Sequence, residues 1–133
     1  MNKREKKRLD DLWSEYIRKR AMSLVHGCQR CLTWKHDWKE LQAAHCFGRA
    51  NHTTCYDLEN GAGLCGGCHT HIDRNEDAKY ELFRGLIGNS KDFEQLYHRS
   101  KLTTKQIPID VKLIEIQLKT LIKQLDAVVA TTS

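Results

Sequence analysis

Two short cysteine pairs, Cys28-Gln29-Arg30-Cys31 and Cys65-Gly66-Gly67-Cys68, limit what this chain can fold into more than any other stretch. A two-residue gap lets one tight turn aim two thiolates at the same point, and two such pairs supply the four soft ligands of a tetrahedral zinc ion. With Cys28, Cys31, Cys65 and Cys68 as ligands, the zinc is structural. The segment between the pairs has room for a β-hairpin and a loop, and the staple would fix both against a helix that follows Cys68. His45, Asn60, His69 and Asp73 fall inside or just beyond the stapled stretch.

Six cysteines in a secreted chain would suggest disulfides, but paired Cys-x-x-Cys spacing without a signal peptide points to metal in a reducing compartment. No apolar run reaches the length of a membrane span, since Lys119, Lys123 and Asp126 break the greasiest stretch. The expectation is therefore a cytoplasmic protein with no membrane partner. Lysine and arginine number 22 against 17 acidic residues, a formal charge of +5. The excess lies early, around Lys3, Arg4, Lys6, Lys7 and Arg8, and supports a polyanionic partner without proving one.

The length suits one core with helical arms. Leu9, Leu12, Trp13, Tyr16 and Ile17 recur at helical spacing, so residues 1–26 read as a basic amphipathic helix. Residues 27–100 read as the zinc-stapled core. Within it, Lys35-His36-Asp37 reads as the turn of a short hairpin ending on Leu41 to Ala44, and Cys46 to Leu64 as an ordered loop. A helix is expected from about Cys68, another through Ala78 to Ile87, and a third capped by Ser90. Residues 101–133 read as a C-terminal helix in which Val111, Ile114, Leu118, Leu121, Leu125 and Val128 form a coiled-coil seam. That seam could pack on the first helix or on a second copy of the chain.

The same residues suggest a chemistry. Hydrolysing a phosphodiester needs a base to deprotonate water, and a neutral imidazole titrates in the right range; His45 is the candidate. It also needs charge neutralised at the phosphate, which Mg²⁺ or Mn²⁺ does. His69 and Asp73, four apart on a helix, share one face and can grip one ion. Asn60 suits a loop strut that orients the base, while Arg49 could clamp a substrate phosphate oxygen, with His52, His71 and Lys35 lesser candidates for the same surface. Each has a plainer reading. His69 could be a surface residue or spare zinc ligand, His45 could complete the zinc site, Asn60 could be ordinary turn chemistry, and Asp73 a surface carboxylate. Cys46 and Cys55 read as buried thiols.

The stretches Leu12 to Arg18, Cys28 to Cys31, Leu41-Gln42-Ala43-Ala44-His45-Cys46-Phe47-Gly48-Arg49, Tyr56 to Asn60 and Cys65-Gly66-Gly67-Cys68-His69 resemble the zinc-containing branch of the HNH (ββα-metal) endonucleases. More narrowly, they resemble the NinG/Rap recombination proteins of lambda-like phages. The resemblance covers about the first hundred residues. It implies an α+β fold with a zinc-stapled ββα-metal core between N- and C-terminal helices, and metal-dependent cleavage of branched DNA, including Holliday junctions, leaving 5′-phosphate and 3′-hydroxyl ends. A resolvase cuts two strands, which implies a homodimer, with the C-terminal helix as its natural seam. Two positions depart from the pattern: Ala44 stands where many such enzymes have a metal-binding aspartate, and His69 where the narrower family often has asparagine. The first departure leaves open whether His45 itself, or Asp73 or His71, makes up the missing ligand. Two other readings remain, an HNH nicking or packaging nuclease without junction preference, and a zinc-ribbon DNA-binding module with no chemistry.

Overall fold

A computed structural model of the chain describes residues 1–48 and 53–132. It is an α+β fold in which a very small sheet lies between helical layers. Helix α1 (Lys3–Val25) opens on Asn2, whose side chain accepts from the Glu5 backbone N–H at 2.8 Å. Its buried stripe is Leu9, Trp13, Tyr16, Ile17 and Ala21, the face the periodicity predicts. A cysteine knuckle follows, then a 3-10 turn (Trp38–Glu40), strand β1 (Gln42–His45), a second 3-10 turn (Leu58–Asn60) and strand β2 (Gly61–Leu64). Helices α2 (Gly66–Asp73), α3 (Glu76–Ile87), α4 (Ser90–Ser100) and α5 (Val111–Thr132) complete the chain.

The strands pair antiparallel, Gln42 with Leu64, Ala43 with Gly63, Ala44 with Ala62 and His45 with Gly61. Side chains alternate across a strand, so Ala43 and His45 share one face with Gly61 and Gly63, and Gln42 and Ala44 share the other with Ala62 and Leu64. The first face lies under α1. A Cβ on Gly61 would stand 2.6 Å from the Trp13 ring, and one on Gly63 would stand 2.5 Å from the Ala21 Cβ. Only bare backbone lets the helix come this close. The second face joins the core of Leu41, Phe47, Ile72, Phe83, Phe93 and Leu96 under α2, α3 and α4.

That close approach explains one failed expectation. Gly61-Ala62-Gly63-Leu64 has the composition of a loop, yet it is a strand, because α1 lies on it and its Trp13, Ile17 and Ala21 side chains fill the space that side chains on Gly61 and Gly63 would need. The hairpin expected around Lys35-His36-Asp37 is also absent. Asp37 and Glu40 instead cap a 3-10 turn, Trp34 makes only an isolated bridge to Gly27, and β1 pairs with the distant β2. The helix expected to be capped by Ser90 is capped one residue earlier, where Asn89 accepts from the Asp92 N–H at 2.8 Å.

Helix α5 lies on the outer side of α1. Leu118 and Ile122 are buried against Leu9, Trp13 and Ile17, and two ion pairs join the helices, Arg8 with Glu115 at 2.6 Å and Lys19 with Asp126 at 2.7 Å. The coiled-coil seam is thus occupied by a helix of the same chain. No helix among the described residues is long and apolar enough to cross a membrane.

Candidate metal centre and the residues around it

The knuckle follows directly on α1, and the second cysteine pair sits where β2 turns into α2. What holds the two together without any ion is β2 itself. Gln29 donates its backbone N–H to the Gly63 carbonyl at 2.9 Å, and its side chain accepts the Gly63 N–H at 2.8 Å. The knuckle is therefore docked on the strand that carries Cys65. The four Sγ atoms lie within 4.8 Å of one another. A tetrahedral zinc with Zn–S bonds of about 2.3 Å sets its sulfurs about 3.8 Å apart. Cys31 Sγ and Cys65 Sγ are 3.8 Å apart. The cluster fits a structural ion such as zinc.

The surroundings suit thiolates. The Cys68 backbone N–H donates to Cys65 Sγ at 3.4 Å, Arg30 donates to Cys68 Sγ at 3.5 Å, and Cys31 Sγ lies 3.1 Å from the Thr33 hydroxyl. The Thr33 hydroxyl and N–H bring the Cys31 thiol down to about 6, whereas burial pushes Cys68 up to about 12. Cys46 and Cys55 lie apart, buried, their thiols pushed up to about 12 and about 11 by burial. They stand outside the four-cysteine cluster, and burial makes them poor nucleophiles.

His45 ends β1 on the α1 face. Its ring stacks on Trp13 at 4.0 Å between centroids and 14° between planes, and its Nε2 lies 3.0 Å from the Cys55 carbonyl. A carbonyl only accepts, so Nε2 carries the proton and the neutral ring's lone pair is on Nδ1. Asn60 is fully buried and spans the loop between the strands. Its Oδ1 accepts the Phe47 N–H at 2.8 Å, and its Nδ2 donates to the Phe47 and Thr54 carbonyls at 3.0 Å each. Its own backbone carbonyl accepts the Cys46 N–H at 3.0 Å. The residue ties together both ends of the loop that leaves His45. Arg20 braces the same region from α1, donating to the Leu58 and Gly61 carbonyls at 2.9 and 2.7 Å.

His69 lies in α2, on the other side of the sheet from His45. Its Nε2 is 3.4 Å from Asp73 Oδ2, and its Nδ1 is 2.8 Å from the carboxamide oxygen of Gln42. That oxygen accepts, so His69 donates from Nδ1 and turns the other nitrogen toward Asp73. The structure brings together His69, Asp73 and Gln42, and separately His45, Asn60 and Trp13. Ala44, between Gln42 and His45, is fully buried and offers no ligand. Lys35 lies in the knuckle, half-buried, and His71 is exposed on α2. Arg49 and His52 lie outside the described residues.

Gln42 and Trp13 are the residues that sequence reasoning missed. Gln42 was legible only as part of the stretch Leu41 to Arg49, and Trp13 only as one member of a helical stripe. The early basic residues are also less available than their number suggests. Lys6 pairs with Asp10, Lys7 with Asp11, Arg8 with Glu115, Lys19 with Glu15 and Asp126, and Arg20 is spent on carbonyls. Among the described residues, the four cysteines are the one group of three or more metal-type side chains within reach of a single ion. No protein-family model, no curated protein and no solved structure matches this chain.

Proposed function

We propose that this protein is a metal-dependent DNA endonuclease of the ββα-metal (HNH) kind, acting on branched DNA of the Holliday-junction type. The observation that supports it best is the order strand, strand, helix on a four-cysteine staple, with His45 ending β1, Asn60 immediately before β2 and His69 in α2. The donor types suit the chemistry, while His45 and the His69–Asp73 pair stand on opposite faces of the two-stranded sheet, so a single phosphate would have to reach both. His45, oriented by the Cys55 carbonyl and the Trp13 ring, would take a proton from water, and that water's oxygen attacks phosphorus as the 3′ oxygen leaves. His69 and Asp73 would hold Mg²⁺ or Mn²⁺, their donors closing from 3.4 Å to the about 3 Å between neighbours of an octahedral shell. Such an ion supplies charge neutralisation at the phosphate. Lys35, with Arg49 and His52, would take backbone phosphates. The preference for junctions rests on the resemblance of Leu41 to Arg49 and the two knuckles to phage recombination nucleases. Cutting two strands calls for two copies of the chain. Since α1 covers the α5 seam, a dimer through α5 would use its outer face, where Leu113 and Ile116 are exposed.

A second reading, a zinc-ribbon DNA-binding module without chemistry, is favoured by two observations. Ala44 is buried where a first ligand to the catalytic metal would stand, and the four cysteines are the one larger metal-type group among the described residues. Labelled four-way junction, nicked duplex and plain duplex, incubated with Mg²⁺ or Mn²⁺ and with chelator, decide between them. Preferential junction cutting is expected. Equal cutting of all three removes the junction preference and keeps the nuclease. Binding without metal-dependent cutting of any substrate overturns the proposal.

A further inference from the structure

The four cysteines of the staple are not equally open. Cys31 is exposed and Cys65 half-buried, whereas Cys28 and Cys68 are only 0 % and 6 % accessible. The open pair takes one cysteine from each knuckle, and the two Sγ atoms stand 3.8 Å apart. The closed pair is covered. Cys28 belongs to the core with Leu64 and Ile72, and Arg30 donates to Cys68 Sγ at 3.5 Å. A small polar oxidant arriving from solvent therefore meets Cys31 first.

Backbone that needs no ion keeps the open pair together. The first knuckle is closed on itself by the Leu32 N–H on the Cys28 carbonyl at 2.9 Å and the Cys28 N–H on the Thr33 carbonyl at 3.1 Å. It is docked on β2 by the two bonds between Gln29 and Gly63, at 2.9 and 2.8 Å. Gly63 lies two residues before Cys65, which caps α2 with its Sγ accepting the Cys68 N–H at 3.4 Å. Cys31 and Cys65 are thus anchored at one place whether or not metal is bound. A disulfide needs its sulfurs about 2.0 Å apart, so the pair has only to close from 3.8 Å by turning side chains. Cys46 and Cys55, buried outside the cluster, cannot compete.

We propose that Cys31 and Cys65 are a peroxide-sensitive pair, which hydrogen peroxide converts from two zinc ligands into a disulfide that replaces the metal as the staple. The Cys31 thiolate attacks one peroxide oxygen, the O–O bond breaks, and hydroxide leaves, giving a sulfenic acid on Cys31. The Cys65 thiolate then attacks that sulfur, the S–S bond forms, the S–O bond breaks, and a second hydroxide leaves. Two thiolates and one peroxide become one disulfide and two hydroxides, the sulfurs giving up the two electrons that peroxide takes. Cys28 and Cys68 alone cannot complete a tetrahedral shell, so zinc is released. The new bond joins the same two chain segments that zinc joined, and a thiol reductant with zinc restores the first state. None of this depends on DNA cleavage.

The test treats the zinc-loaded full chain with hydrogen peroxide, follows zinc release with a colorimetric chelator, and maps disulfides by mass spectrometry after the remaining thiols are alkylated. Zinc release is expected to keep pace with a single bridge between Cys31 and Cys65, with Cys46 and Cys55 recovered alkylated. The oxidised chain should keep its helical circular dichroism and melt above the reduced chain stripped of metal, since the bridge closes the same loop. Cys31→His, which leaves a Cys₃His zinc site, should form no bridge and keep its zinc in peroxide that empties the wild type. Bridges within the pairs, Cys28 with Cys31 or Cys65 with Cys68, overturn the proposal, as does zinc release without a disulfide or zinc retained by the wild type. If Cys31→His binds no zinc, the disulfide map of the wild type decides alone.

Discussion

Replacing Asn60 by alanine should damage the fold more than its single short side chain suggests. The carboxamide makes three bonds to backbone in a site with no access to water. Removing it leaves the Phe47 N–H without its partner and strips a donor from the Phe47 and Thr54 carbonyls. The Thr54 carbonyl keeps the Asp57 N–H at 3.0 Å, so it suffers less. An orphaned buried donor costs about 1–3 kcal/mol, and each further lost bond adds about 0.5–1.5 kcal/mol. The sum is about 3 kcal/mol, a large share of the ~5–15 kcal/mol that holds a domain of this size. For a chain this long that corresponds to a fall in Tm of about 10–15 °C. Thermal unfolding followed by circular dichroism, with urea unfolding as a check, measures it. Asn60→Asp should be at least as harmful, since an acceptor replaces the Nδ2 donor against two carbonyls. A loss below about 1 kcal/mol in Asn60→Ala, with zinc retained, would refute the account of this residue as the tie across the loop.

The approach of α1 to the sheet predicts that Gly63→Val is destabilising by about 1–3 kcal/mol, because its side chain must enter the space now held by Ala21 and the Ile17 carbonyl; urea unfolding equal to wild type would contradict that packing. Stripping the metal with a strong chelator should lower the unfolding midpoint well beyond the effect of any single core substitution, since the staple joins the end of α1 to the start of α2. Metal analysis should give one zinc per chain before treatment, and an unaltered melt afterwards would argue against a structural ion. Stability should also fall above about pH 9. The raised folded values of Cys46 and Cys55 mean that the unfolded chain releases these protons first. Their contribution is whole below the unfolded thiol value of about 8.5 and fades as pH climbs through 11 to 12. Cys46→Ala should flatten that decline, and a wild-type stability constant from pH 8 to 11 would contradict the burial of these thiols.

The parts of this fold that were legible in the sequence are those whose signal is local. The spacing of Cys28, Cys31, Cys65 and Cys68 needs only two turns, and the stripes of α1 and α5 need only helical periodicity. What was not legible depends on distant chain. β2 is a strand because α1 lies on it, and nothing within Gly61 to Leu64 says so. The partner of Gln42 is His69, 27 residues away, so its contact with the α2 histidine could not be read from β1 alone. The placing of His45 and His69 on opposite faces of the sheet likewise follows from strand register, which the sequence left open.

The most direct test of the central claim is single-turnover cleavage of a four-way junction by wild type and His45→Ala, each zinc-loaded, each shown to bind the junction equally, and each supplied with Mg²⁺ or Mn²⁺. The account predicts metal-dependent cutting by the wild type, leaving 5′-phosphate ends, and a loss of about 10²–10⁴-fold in the variant with binding intact. Cutting by His45→Ala at the wild-type rate would contradict it, and so would a wild type that binds the junction and cuts nothing.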